Sequence, residues 1–161
     1  MGAALVNGIQ SNGVGSCIKH FAANNQETDR MVSDSVMDER TLHEIYLPAF
    51  ETVVKKAKPL GVMAAYNKLN GTHCSENKEL LTDILRKRWG YEGMVVTDWG
   101  AVKDRAKGIA AGQDLEMPGG SGRGTNSILS AIKAGTLSEE ELNAAVRNLL
   151  RFCLLYTSDA A

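Results

Sequence analysis

The stretch Met94-Val95-Val96-Thr97-Asp98-Trp99 is a short β-branched run that ends in a carboxylate followed at once by an indole. β-Branched side chains suit the pleated backbone of a strand. An ionised carboxylate needs partners or water, so an Asp at the last position of a buried strand points to chemistry at the strand end. The plain alternative is a helix cap, in which the Asp98 oxygen accepts from N–H groups of the following turn.

Working outward, similar apolar, small-residue runs occupy residues 16–22, 60–66 and, more weakly, 113–117. Each is short and nearly continuous in hydrophobicity, as expected of parallel strands covered on both faces. Amphipathic stretches lie between them. Asp38 is placed to cap a helix carrying Leu42, Ile45 and Tyr46, and Pro48 kinks or restarts it before Phe50, Val53 and Val54. Ser75 precedes a second helix with Leu80, Leu81, Ile84 and Leu85, ended by Gly90. A third is predicted over 101–111 and a fourth over 125–134, with Gly135 as its stop. Ser138 and Glu141 form a capping box for the last helix, with Leu142, Val146, Leu149 and Leu150 on one face.

Strict β/α alternation builds either an open doubly wound sheet or a closed barrel. Polar residues separate the two. Lys19 and His20 fall near the end of the first strand, Tyr66 and Asn67 end the second, Asp98 ends the third, and Asp114 and Glu116 lie in the fourth. A site lined by every strand end belongs to a barrel, whereas an open sheet gathers its site at one switch point. A full barrel takes about 250 residues. The prediction is therefore an α/β chain forming the C-terminal portion of an incomplete (β/α)8 TIM-type barrel.

Composition agrees with a folded domain: 161 residues, 43% hydrophobic and 23% charged, can bury one ordinary core. A net charge of −1 with mixed signs offers neither a basic face for nucleic acid nor a polybasic membrane patch. No run approaches the roughly 20 apolar residues of a membrane helix, and no leader pattern is apparent. Cys17, Cys74 and Cys153 share no close spacing, which argues against a disulfide framework or zinc knuckle, and Cys17 is expected to be a small core residue. His43 and His73 lack metal-ligand spacing. No metal and no cofactor are expected.

Several segments together carry a family resemblance. They are Lys19-His20-Phe21-Ala22-Ala23-Asn24-Asn25-Gln26-Glu27-Thr28-Asp29-Arg30, Met63-Ala64-Ala65-Tyr66-Asn67 followed by Asn70-Gly71, Val95-Val96-Thr97-Asp98-Trp99, and Asp114-Leu115-Glu116-Met117-Pro118. Asp38-Glu39-Arg40 through Tyr46-Leu47-Pro48-Ala49-Phe50-Glu51 fits as well. In order and with natural spacing, they resemble glycoside hydrolase family 3, the β-glucosidase family, over about residues 5–151.

The resemblance implies a retaining β-glycosidase that hydrolyses terminal non-reducing β-D-glucosyl residues by double displacement, with Asp98 as nucleophile. It also places Lys19, His20 and Arg30 on sugar hydroxyls in the cleavage subsite, Tyr66 beside the nucleophile, Trp99 as a wall against the sugar face, and Met63 as an apolar contact. Asp98 must stay ionised, and Lys19 and Arg30 are the expected neighbours that favour its charged form. Each residue has a plainer reading: an ion pair for Lys19, a core histidine for His20, a solvated arginine for Arg30, packing for Tyr66 and Trp99. Asp114 and Glu116 are expected to support the barrel mouth structurally.

The run Gly119-Gly120-Ser121-Gly122-Arg123-Gly124 lies where barrels often bind phosphate. Without a dinucleotide fingerprint it reads better as a flexible loop at the rim of the sugar pocket. A phosphate-binding barrel is the rival function, and a non-catalytic sugar-binding fragment is another.

In its departures from the family the sequence is also informative. A retaining enzyme needs a second carboxyl about 5–5.5 Å from the nucleophile. The resemblance implies that this acid/base comes from a following α/β domain, outside this chain, so the segment alone is expected to be inactive. The N-acetylglucosaminidase branch carries a Pro-Gly-His-Gly run where this chain has Ala22-Ala23-Asn24-Asn25, so the expected partner is a β-glucoside or related neutral oligosaccharide, with glucose and xylose both open. Residues 1–152 read as the partial barrel domain and 153–161 as a non-native tail. Exposed sheet edges predict self-association.

Overall fold

A computed structural model describes residues 1–120 and 122–158, the side chains of 156–158 excepted. Helix α1 (Gly2–Gln10) leads into strand β1 (Cys17–Phe21), and the short strand β2 (Asp34–Ser35) precedes a helical segment. That segment runs as α2 (Glu39–Thr41), a wide π-type turn over Leu42–Tyr46, and α3 (Pro48–Ala57). Strand β3 (Gly61–Ala64) follows, then the hairpin β4 (Lys68–Leu69) and β5 (Thr72–His73), and a second π-type helix over Glu79–Arg88. Strand β6 (Met94–Thr97) precedes α4 (Arg105–Ala111), α5 (Gly122–Lys133) and α6 (Glu139–Ser158).

The central sheet has the order β1-β3-β6, all parallel, with Val62 opposite Ile18 on one side and Val95 on the other. Parallel strands joined by helices bring all three carboxyl ends to one edge, which is how distant sequence segments come to share a site. A second small sheet, β2-β4-β5, sits beyond that edge.

The core lies between β3, β6 and the Glu79–Arg88 helix, whose Leu80, Leu81, Ile84 and Leu85 are all buried, as their spacing predicts. Phe21 is fully buried and stacks edge-on against Phe50, with ring centroids 5.1 Å apart. A smaller cluster joins Ala106 and Ile109 of α4 to Leu137 and to Ala145 of α6.

Local signals hold where the chain supplies its own partners. The Asp38 carboxylate accepts from the Thr41 N–H at 2.7 Å, and Ser138 and Glu141 close the capping box, with the Glu141 N–H donating to Ser138 Oγ at 3.2 Å. Elsewhere packing overrides the sequence pattern. The second cap is Asn77, which accepts from the Leu80 N–H at 3.0 Å, because Ser75 is buried and donates to the Ala101 carbonyl. Helix α4 begins four residues later than predicted, where Asp104 accepts from the N–H groups of Ala106 and Lys107. Helix α5 begins at Gly122, so part of the glycine run is helical and not a loop, while Ser121 lies outside the described residues.

Residues 113–117 run beside β6 without forming a strand: they make one parallel bridge, Val96 to Leu115, in which the Thr97 N–H donates to the Leu115 carbonyl at 3.0 Å and the Leu115 N–H to the Val95 carbonyl at 3.1 Å. The Asp114 side chain takes the Val95 N–H at 2.7 Å, a donor that a paired strand would have used. Cys17 is exposed and not in the core, because β1 is an edge strand paired on one side only. The predicted apolar face of α6 is likewise only partly covered, with Val146 and Leu150 exposed. The helix continues past Phe152 into the tail, of which residues 159–161 lie outside the described part.

Candidate active site

The site forms at the carboxyl edge of the central sheet. At the end of β6 the Asp98 N–H still donates to the Ala64 carbonyl at 3.2 Å, so the backbone holding the carboxylate is clipped to β3. The Ala65 N–H does the same to Phe21 at 2.8 Å, tying β3 to β1. Pairing between β1 and β3 shifts register between Ile18 and Phe21, and such an irregularity re-aims the side chains within it. His20 lies in that stretch.

Its imidazole Nε2 stands 3.0 Å from Asp98 Oδ2, both side chains being largely covered. The other carboxylate oxygen, Oδ1, accepts from the Trp99 N–H at 2.7 Å. Two partners on two different oxygens fix the carboxyl group in one orientation. The direct partner of Asp98 is His20, whereas Arg30 acts on it through charge alone and Lys19 makes no contact with it among the described residues. Lys19 is exposed on β1 and enters no ion pair among the described residues.

Tyr66 follows β3 and is buried apart from one edge, with its hydroxyl donating to the Trp99 carbonyl at 2.8 Å. Burial pushes the phenol above its ordinary range, the charge and hydrogen bonding of Asp98 add to that, and Arg30 opposes it. The Arg30 guanidinium lies 4.7 Å above the Tyr66 ring and pairs with Glu27 at 2.7 Å. Its hydrogen bond to Glu27 raises the arginine further, and the Glu27, Tyr66 and Asp98 charges act in the same sense. Trp99 is 63% exposed, so its indole presents an open aromatic face instead of filling a core. Met63 is half-buried in β3, paired in register with Val96.

The structure thus gathers His20, Asp98, Trp99, Tyr66 and Arg30 into one contact chain and leaves Lys19 outside it. Two residues that the sequence reading did not assign to the site belong beside it. Glu27 holds Arg30, and Asn67, buried directly after Tyr66, contacts the loop that carries both. The signal for Asn67 was a polar residue at the end of an apolar strand.

Asp114 and Glu116 lie elsewhere. Asp114 is paired with Arg86 at 2.6 Å and bound to Val95, so it secures the start of β6 and not its mouth. Glu116 faces Arg105 at 3.6 Å in a cavity of about 600 Å³ that the glycine run borders. Lys103 and Arg123 also line that cavity, and with Arg105 they face the two carboxylates of Asp104 and Glu116. His43 sits 3.5 Å from Glu39, and His73 meets the Tyr66 carbonyl. Among the described residues no cluster of three metal-ligating side chains occurs, and no helix is long and apolar enough to cross a membrane.

The fold and site are those of a parallel α/β protein with a held carboxylate and an open indole at its strand ends. The chain belongs to glycosyl hydrolase family 3: it matches the N terminal domain of that family over residues 1–152. It is 56% identical over 151 residues to thermostable beta-glucosidase B of Acetivibrio thermocellus, covering 94% of this chain and 20% of that protein. It is 46% identical over 146 residues to an exo-alpha-(1->6)-L-arabinopyranosidase of Bifidobacterium longum, covering 91% of this chain and 19% of the relative. Among solved structures, beta-glucosidase 3B from Thermotoga neapolitana in complex with glucose superposes with a TM-score of 0.92 at 50% identity, over 97% of this chain and 23% of that one. The chain therefore spans about a fifth of the length of the curated relatives it matches.

Proposed function

We propose that this chain is the nucleophile-bearing part of a retaining β-glucosidase, and that its three parallel strands are the C-terminal portion of a (β/α)8 barrel. Further strands would then close the outer edge of β1 and continue beyond residues 113–117, which already line the outer side of β6. The segment alone would be inactive and prone to self-association through those edges. The domain is residues 1–152, and 153–161 is a non-native tail.

The observation that carries this reading is the Asp98 carboxylate at the end of β6, held by His20 at 3.0 Å and by the Trp99 N–H at 2.7 Å. In the first step a carboxylate oxygen attacks the anomeric carbon and the glycosidic C–O bond breaks, leaving an Asp98 glycosyl ester. The departing oxygen takes its proton from an acid outside this chain. Water then attacks the same carbon and releases the sugar with net retention. Trp99 packs on the sugar face, while Arg30, His20 and Lys19 take hydroxyls and Met63 supplies an apolar contact. The substrate is a β-glucoside or related neutral oligosaccharide. One relative's name as an arabinopyranosidase makes an aryl α-L-arabinopyranoside the second substrate to assay.

The test is intact mass after incubation of the intact enzyme with a 2-deoxy-2-fluoro β-glucoside bearing a dinitrophenyl leaving group. The fluorine slows release of the ester, and the leaving group departs without protonation. One glycosyl adduct on Asp98, absent from Asp98→Asn, is the expected result. An adduct on another residue, or hydrolysis unaffected by the substitution, would overturn the assignment.

A further inference from the structure

Arg30 and Glu27 lie on the exposed stretch of the loop between β1 and β2, which starts from the buried Ala22 and Ala23 and turns at residues 28–32, where the Val32 and Ser33 N–H groups donate to the Asp29 carbonyl at 2.9 Å. A guanidinium on such a segment reaches a fixed place only if the backbone beneath it is pinned. At its far end the Lys68 N–H donates to the Ser33 carbonyl at 2.8 Å, and at its near end the pin is Asn67, which is 1% exposed. Its side-chain nitrogen lies 3.3 Å from the carbonyls of both Ala22 and Ala23, 2.9 Å from that of Lys68, and 3.3 Å from Ser35 Oγ. Three of these neighbours are carbonyls, which can only accept, so the amide must present its nitrogen and not its oxygen to them. Ser35 completes the arrangement by donating to the Ala23 carbonyl at 2.8 Å. Ala23 adopts a left-handed backbone with φ of 60°, a conformation that costs energy for a residue with a Cβ and therefore needs such support.

Residue 67 is itself held from its other side, where the Cys74 N–H donates to the Asn67 carbonyl at 3.0 Å. Tyr66, its immediate neighbour, carries Arg30 over its ring and bonds to the Trp99 backbone. Two adjacent residues thus set the distance between the loop after β1 and the end of β6. Tyr66 supports the two groups directly, and Asn67 fixes the backbone from which one of them hangs.

We infer that Asn67 is a positioning residue for sugar binding, acting through the Ala22 and Ala23 carbonyls to hold Arg30 opposite Asp98. This rests on the glycosidase reading above. Asn67→Asp keeps the shape but faces three carbonyls with carboxylate oxygens. In the intact enzyme its kcat/KM on an aryl β-glucoside is expected to fall on the order of tenfold to a hundredfold, the effect of displacing a group near a reacting centre by about 1 Å. KM should change more than kcat, because Asp98 keeps its Trp99 N–H. Trypsin should also cut faster between Arg30 and Met31, mapped by mass. Ser35→Ala, a smaller change to the same arrangement, should move both readouts in the same direction by a few-fold, and the double variant should be no worse than Asn67→Asp alone.

A purely structural role would lower the melting temperature and leave KM and Arg30 cleavage of the folded enzyme at wild-type values, which overturns the inference. If Asn67→Asp does not fold, a folded Ser35→Ala with both readouts unchanged overturns it equally. An intact wild-type enzyme without glycosidase activity would instead sink the functional reading. The cleavage rates then decide by themselves whether Asn67 holds Arg30 in place, faster cutting supporting that contact and equal rates refuting it.

Discussion

Arg86 and Asp114 form the most deeply buried ion pair described, with side-chain exposures of 17% and 1%, and Arg86→Ala is the perturbation that reads it. Arg86 bonds Asp114 at 2.6 Å, the Gly112 carbonyl at 3.0 Å and the Gly93 carbonyl at 3.2 Å. Deleting it leaves a carboxylate with only the Val95 N–H at 2.7 Å and the Asn148 amide at 2.9 Å. Removing one partner of a buried pair costs about 3–5 kcal/mol, a large fraction of the roughly 5–15 kcal/mol that stabilises a domain. At a urea m-value of about 2 kcal/mol/M, the midpoint should fall by roughly 1.5–2.5 M, followed by far-UV circular dichroism at pH 7.

Acid should soften that loss. Burial raises the Asp114 carboxyl above its ordinary value, and Arg86 is the foremost of the groups that oppose the rise. A carboxyl whose folded value exceeds its unfolded value contributes stability that is complete below the unfolded pKa and is lost as pH rises through the folded one. Without Arg86 the folded value climbs further, so the penalty is greatest at pH 7 and shrinks as pH falls toward the ordinary Asp value of 3.8. Asp114→Asn in the Arg86→Ala background should recover part of the stability at pH 7. A midpoint change below about 0.5 M, or an equal change at pH 7 and at the ordinary Asp value of 3.8, would refute the reasoning.

Tyr66→Phe removes the donor to the Trp99 carbonyl, worth about 1 kcal/mol, and should lower kcat/KM of the intact enzyme about fivefold without changing its fold; wild-type kinetics would show that this bond does not steady the site. Gly93→Ala would set a methyl group against the Tyr91 hydroxyl and 2.7 Å from the Leu60 carbonyl oxygen, while Tyr91 is anchored by its bond to Met94. Overpacking of about 1–3 kcal/mol should lower the melting temperature by roughly 2–4 °C per kcal/mol, and an unchanged value would mean that the backbone yields there.

The sequence by itself determined the features that depend on neighbours along the chain. The strand over Met94–Thr97, the cap at Asp38, the box at Ser138 and Glu141, and the four buried leucine and isoleucine positions of the Glu79–Arg88 helix are all of this kind. Each is a short-range pattern whose energy is local. The motifs around Lys19, Tyr66 and Asp98 also carry the family resemblance without any tertiary contact. Tertiary structure decided which strand-end groups meet. His20 and not Lys19 reaches Asp98, because a register shift in β1, set by pairing with a strand more than forty positions away, selects the side chain that turns inward. Tertiary packing likewise gave the Val95 N–H to the Asp114 side chain and so dissolved the expected fourth strand into a single bridge. It also buried Asn67 under the loop that carries Arg30. These outcomes turn on whether a polar group finds its partner across the fold, and a buried donor or acceptor left without one costs more than any local propensity supplies.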